Sequence, residues 1–236
     1  MSKHMKRLTA PKSWTIHRKE NKWTTKPRAG PHPTMKSLPL LMVVRDYLVH
    51  ADTAREARKI IGSAQVLVDN RPTRDHKRPV GLMDTVSLPT TKENYRVLID
   101  KKGKFRLVKT DDAGSKWKLA RIENKTTLKG GKIQLNLHDG RNITIEKNAH
   151  GVGDVLKISL PDQKILSSFK LEKDSLAMII GGRHMGEIAV IDSYDKNMTA
   201  QENVVSFKEG FSTTRRNVFI IGKKTPEIKL PEVKAA

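Results

Sequence analysis

Arg55, Arg58 and Lys59 carry the chemistry most plainly written in this sequence. They stand three and four residues apart, the spacing that gathers side-chain heads on one face of a helix. Three neighbouring cations hold anions, and phosphate is the anion they hold best. Ala54, Ala57, Ile60 and Ile61 fall at helical spacing too and supply a core-facing stripe. Thr53-Ala54-Arg55-Glu56 reads as a capping box that starts this helix, and Gly62 offers a stop. Arg45, Arg71, Arg74, Lys77 and Arg78 surround the row. Any one of them alone can be a solvated surface charge; the row as a whole is a device for gripping phosphates.

The elements that must position this row begin with residues 41–92. They read as two short helices followed by strands, with Gln65-Val66-Leu67-Val68 as a strand and Asp69-Asn70 as a turn. Upstream, residues 1–40 read as an extended basic arm. Lys3, Lys6, Arg7, Lys12, Arg18, Lys19, Lys22, Lys26, Arg28 and Lys36 are opposed only by Glu20, and Pro11, Pro27, Pro31, Pro33 and Pro39 break any helix. Trp14 and Trp23 are interleaved with the cations, where they can stack on bases or riboses or, on the alternative reading, pack back on the following domain. Such a composition predicts disorder in isolation.

Residues 93–170 turn to strand character and predict a central β domain. Tyr95–Ile99 and Phe105–Val108 flank a hairpin signal at Asp100–Gly103. Residues 133–137 and 141–145 alternate around the turn Asp139-Gly140, with Leu135, Leu137, Ile143 and Ile145 facing inward. Residues 171–210 predict a second β unit: strand 176–180, a tight loop through Gly186, and strand 187–191, with Arg183 and His184 at the loop tip. Residues 211–236 hold Arg215-Arg216, the apolar strand 217–221 and a polar tail.

Composition narrows the function classes. The chain has 236 residues, a mass of 26.6 kDa, a net charge of +21 and a pI near 10.2, which suits a polyanionic partner. Only 36% of residues are hydrophobic and 5% aromatic, so several thin modules are expected rather than one large core. There is no cysteine, and the eight histidines lack metal-ligand spacing, so no metal or cofactor is expected. No apolar run approaches the ~18–20 residues that cross a bilayer, no signal core follows the basic N-terminus, and no basic amphipathic helix is long enough for a membrane surface. The expectation is a cytosolic protein bound to nucleic acid.

The segments Arg45-Asp46-Tyr47-Leu48, Thr53–Ile61, Val66–Pro72 and Asp84-Thr85-Val86 resemble the αL-type RNA-binding module. Asn70-Arg71 departs from the Asn-Gly of that family's turn, which predicts a wider turn here. The 176–191 stretch resembles the KOW motif, and Gly186 sits where the motif needs a positive φ or close backbone approach. Residues 7–14, 27–33, 37–40 and 215–222 then extend the resemblance to nearly the whole chain: it is similar to the small-subunit ribosomal protein four-e family of archaea and eukaryotes, in a compact archaeal form. The resemblance implies a multidomain α+β fold: basic arm, αL-type module, β-rich central domain and KOW SH3-like β-barrel. It implies a monomer within the cytoplasmic ribosome, touching small-subunit rRNA and neighbouring ribosomal proteins, with no catalytic residue.

Rivals of two classes, an rRNA-modifying enzyme and a KOW-type transcription factor, are weaker. An rRNA-modifying methyltransferase needs a Gly-rich strand-to-helix turn; Gly151-Val152-Gly153 is the candidate and no helix follows it. A pseudouridine synthase needs a larger catalytic domain, and Asp111-Asp112 and His138-Asp139 read as turns. A KOW-type transcription factor would not need the N-terminal arm.

Overall fold

Five prolines between positions 11 and 39 deny the N-terminal segment a long helix, and it folds through anchors instead. The computed structural model describes residues 4–197 and 201–231, so Lys3 lies outside the described residues. The chain is mostly β with few, short helices. It divides into two units, Met1–Leu98 with Lys104–Lys116, and Ile99–Gly103 with Trp117–Ala236.

The strands of the first unit are β1 (Met5–Lys6), β2 (Trp23–Thr24), β3 (Ser37–Pro39), β4 (Leu67–Val68), β5 (Arg71–Pro72), β6 (Pro79–Gly81), β7 (Thr85–Leu88), β8 (Glu93–Ile99) and β9 (Phe105–Thr110). β1 pairs with β2, which folds the N-terminal segment on itself, and β3 pairs with β6. Trp14 is 1% exposed, and its indole N–H donates to the Ser37 carbonyl at 2.8 Å. The Thr15 amide donates to the Tyr47 hydroxyl at 2.9 Å; burial pushes that phenol's pKa up. The Phe105 amide donates to Ser13 at 3.0 Å, and the Arg28 amide to Lys77 at 2.9 Å. His32 Nε2 lies 3.0 Å from the Asp84 carboxylate, both buried. Gly81 is required beside them, because a Cβ there would sit 2.4 Å from the His32 ring. Residues 4–40 are therefore a folded layer and not an extended arm: a buried indole and spaced backbone bonds offset the ordering entropy that its composition alone cannot.

α1 (Leu40–Met42) runs into a π-helical turn, Val43–Tyr47, whose first carbonyl accepts from the Leu48 amide at 3.0 Å. α2 (Ala54–Gly62) starts on the complete capping box. The Glu56 carboxylate accepts from the Thr53 and Asp52 amides, which hold its pKa below the usual carboxylate value. Ala57 and Ile61 are buried, Ala54 and Ile60 half-buried, and Arg55, Arg58 and Lys59 exposed.

The larger sheet of this unit runs β5-β4-β7-β8-β9. β8 and β9 thus extend the sheet of residues 67–88 instead of opening the central β domain expected from residue 93. The β4–β5 turn is also tighter than the departure from Asn-Gly suggests. Val68 pairs with Arg71, and both turn residues, Asp69 and Asn70, are left-handed at φ 53° and 58°. Asp and Asn tolerate that conformation, so a two-residue turn of primed type closes without glycine. Arg96, in β8, is buried; its guanidinium donates to Gly114 at 2.7 Å, and burial draws its pKa down to about 10, with Asp69 opposing.

The second unit holds two five-stranded antiparallel sheets. The first comprises β10 (Trp117–Thr127), β11 (Ile133–Leu137), β12 (Asn142–Ile145), β13 (Val155–Ser159) and β14 (Ile165–Phe169), in the order β12-β11-β10-β13-β14. Leu135 and Leu137 are buried in its core, with Ile143 and Ile145 packed against them, as the alternation requires. Lys118 and Asp139 form an ion pair with both side chains essentially inaccessible, and Arg141 adds a contact to Asp139 at 3.3 Å. The second sheet comprises β15 (Leu176–Ile179), β16 (Ile188–Asp195), β17 (Val204–Phe207), β18 (Ser212–Thr214) and β19 (Val218–Gly222), in the order β18-β17-β16-β15-β19. The strand near 217–221 therefore completes this sheet against β15, so the sheet does not end at residue 210. Gly186 has φ 82°, and a Cβ there would meet the Asp100 carbonyl oxygen at 2.3 Å.

If Trp14 anchors the N-terminal layer, Trp14→Ala destabilises the protein by about 3–5 kcal/mol. Trypsin should then cut the variant rapidly at Lys12 and Arg18, while the wild-type layer resists in the absence of RNA. Equally fast cleavage of both would show that the layer is not held.

Candidate nucleic-acid interface

The folding of the N-terminal layer places its cations opposite α2. Arg7, Lys22, Trp23 and Lys26 from the layer, Arg45 from the π-helical turn, Arg58 from α2 and Lys77 from the following loop line one groove of about 660 Å³. His4 and His76 line it as well; among the described residues no aspartate or glutamate does, although Glu20 pairs with Arg7 at 3.7 Å and Asp46 with Arg45 at 2.8 Å. The groove lies within the first unit. With Arg7 and Arg45 partly neutralised by Glu20 and Asp46, Lys22, Lys26, Arg58 and Lys77 give the concave surface its positive potential, which draws in polyanions.

A second cleft of about 360 Å³ is lined by Arg28, Arg74 and Arg78, with Asp75 3.5 Å from Arg28. Loop residues 73–79 contribute to both clefts. The β3–β6 pairing and the Leu40 and Leu41 amides, bonded to the Arg78 and His76 carbonyls at 2.9 Å each, fix that loop. The row foreseen on α2 is thus divided: Arg58 enters the groove, while Arg55 and Lys59 are exposed outside its lining.

Other expected contacts are buried, paired within the fold or outside the clefts. Trp14 is buried, so it has no face for a base, and packing wins over stacking. The Arg18 guanidinium donates to the Ala10, Pro11 and Leu8 carbonyls at 2.7, 2.8 and 3.3 Å, and so knits the layer. Arg7 reaches the groove wall but is largely buried, donating to the His17 carbonyl at 2.5 Å and paired with Glu20 at 3.7 Å. Lys6, Lys12 and Arg71 are exposed outside both clefts. Arg45 is forked onto Asp46 at 2.8 and 3.0 Å.

In the second unit, Arg183 is exposed on the β15–β16 loop. His184 turns inward, stacked on Phe211 with centroids 4.2 Å apart and bonded to Glu187 at 2.9 Å. Arg215 and Arg216 line a small pocket of about 140 Å³ with Arg121, and Arg216 is paired to Glu202 at 3.0 Å.

Sequence reasoning missed His76 and His4. The run Arg74-Asp75-His76-Lys77-Arg78 held a signal, because its cations flank a histidine. The His76 pKa is lowered by burial first and by the Arg58 charge next; Asp75 opposes and Lys77 adds to the depression.

The fold and the groove define a small, mostly β protein with a cation-lined groove in its first unit. Residues 91–165 match the family model described as Ribosomal family S4e, and residues 1–35 match the RS4NT domain. Small ribosomal subunit protein eS4 of Methanothermobacter thermautotrophicus is 49% identical over 233 residues, covering 97% of this chain and 96% of its own. The protein of that name from Methanocaldococcus jannaschii is 46% identical over 241 residues, covering 97% of each. The crystal structure of 30S ribosomal protein S4e from Thermoplasma acidophilum superposes with a TM-score of 0.71 at 36% identity, covering 80% of this chain and 96% of that one. The chain belongs to the eS4 family of small-ribosomal-subunit proteins.

His76 provides a probe of groove occupancy. Its midpoint in the free protein should lie below the ordinary 6.5. A phosphate seated beside Arg58 cancels the repulsion, so the midpoint rises on binding and affinity for RNA grows as pH falls through that range. In the free protein the sign is reversed for folding. A depressed pKa means the unfolded chain takes up the proton first, so stability declines as pH drops below 6.5. An NMR titration of the imidazole with and without small-subunit RNA checks this; an RNA-insensitive midpoint would count against groove binding.

Proposed function

We propose that this protein is a structural constituent of the small ribosomal subunit, and that it binds and stabilises small-subunit rRNA through the groove between the N-terminal layer and α2. The observation that carries the reading is the convergence of Lys22, Lys26, Arg58 and Lys77 on a groove with no acidic lining. Family membership supports the ribosomal setting. Phosphate contacts position such a protein without reading sequence, and RNA shape supplies the selectivity.

On this reading residues 41–92 act as an αL-type RNA-binding module, supported by the capped α2 and the sheet behind it. The β15–β16 hairpin acts as a KOW unit in an SH3-like barrel, supported by the positive φ of Gly186 and by the exposure of Arg183 at the loop. Lys6, Lys12, Arg55, Lys59 and Arg71 serve as peripheral phosphate contacts; Arg28, Arg74 and Arg78 form a second track, and Arg183, Arg215 and Arg216 a further one. Lys3 belongs to the same basic set. The protein has no catalytic role; it neighbours other small-subunit proteins as a monomer within the ribosome.

Affinity for small-subunit rRNA should fall about 10³–10⁵-fold between 50 and 200 mM salt if roughly 6–10 phosphates are contacted. Arg58→Gln with Lys77→Gln should reduce the slope of log affinity against log salt by about 2, one for each lost phosphate contact. Circular dichroism should stay unchanged, because neither side chain is buried. An unaltered slope would place the RNA on another surface.

A further inference from the structure

We propose that the groove takes one unpaired nucleotide of the RNA, its base stacked on Trp23 and its phosphate held by Lys26, Arg58 and Lys77. This inference rests on the RNA-binding reading above. Its first support is the indole itself. Trp14 is sealed in the core, yet Trp23 is 52% exposed in a wall of the groove. A tryptophan left open beside phosphate-binding cations offers the π-face on which nucleic-acid bases stack.

The second support is preorganisation. Trp23 lies in β2, opposite Lys6 of β1, so its backbone is fixed before any ligand arrives. Lys22 Nζ stands 5.4 Å from the indole centroid, and the His4 ring lies 5.7 Å away, tilted by 53°. The ring is thereby flanked by cationic and aromatic neighbours, and stacking needs little further ordering.

The third support is size and charge together. A groove of about 660 Å³ falls among cavities of roughly 300–1,000 Å³ that enclose single small molecules. Paired bases inside a helix present no free face, whereas a bulged or looped base does. The cations on the same wall favour an occupant that carries phosphate as well as an aromatic face.

Affinities of the full chain for three RNA hairpins at one salt concentration test the proposal. The first carries a single bulged adenosine, the second an abasic bulge with the same phosphates, and the third no bulge. Wild-type protein should prefer the adenosine bulge over the abasic one by about tenfold. Trp23→Ala should erase that preference, while Trp23→Phe keeps most of it. Wild-type binding that is equal for the first two hairpins overturns the proposal and leaves the electrostatic reading standing. So does a preference that survives Trp23→Ala. No binding to any hairpin would overturn both.

Discussion

The burial of Trp14 is the interaction on which the groove depends. A chain of net charge +21 resists bringing its cations together, and among its described residues the basic N-terminal segment offers only single 3-10 turns and strands of two or three residues to oppose that. The indole supplies a large buried apolar surface and one satisfied donor in a single residue. With Trp14 seated, the Thr15–Tyr47, Ser13–Phe105 and Arg28–Lys77 bonds follow along the segment. Lys22, Trp23 and Lys26 are then delivered opposite Arg58 and Lys77.

On the proposed reading, that arrangement is how a thin protein would hold RNA. The repulsion among the groove cations is already present in the free fold, offset by the anchors, and is relieved when phosphates arrive. Arg58 illustrates the balance, since its charge helps depress the His76 pKa before any ligand is bound. Counterion release adds a favourable entropy that grows as salt falls. The same logic separates the arginines into two kinds. Arg18 spends its donors on backbone carbonyls and Arg121 divides its own between carbonyls and Glu123, so both hold the fold, whereas Arg58 and Arg74 are exposed beside clefts.

Local signals made much of this legible in the sequence. The Thr53–Glu56 capping box, the apolar stripe of α2 and the alternation at 133–145 all act over a few residues, and each appears in the fold. What escaped were contacts set by distant partners. Nothing near Trp14 in the chain shows that Ser37 will accept its N–H, twenty-three residues away. Lys118 looks like a strand's solvent-facing charge until Asp139 buries with it. Strands 93–110 read equally well with the sequence before or after them, because strand pattern does not name a pairing partner. The groove's cations were visible one by one: Arg7, Lys22, Lys26, Arg45, Arg58 and Lys77 could be named with Trp23, but not that they meet in one groove, and His76 joined them only once loop 73–79 was tied to α1 through the Leu40 and Leu41 amides.

Lysine reactivity tests the central claim, that the N-terminal layer and α2 together form one RNA-facing groove. Acetylation rates of individual lysines can be measured by mass spectrometry in the free protein and in assembled small subunits. Lys22, Lys26 and Lys77 should all react in the free protein and be protected together in the subunit. If all three stay as reactive in the subunit as in the free chain, the groove does not face RNA and the account is contradicted.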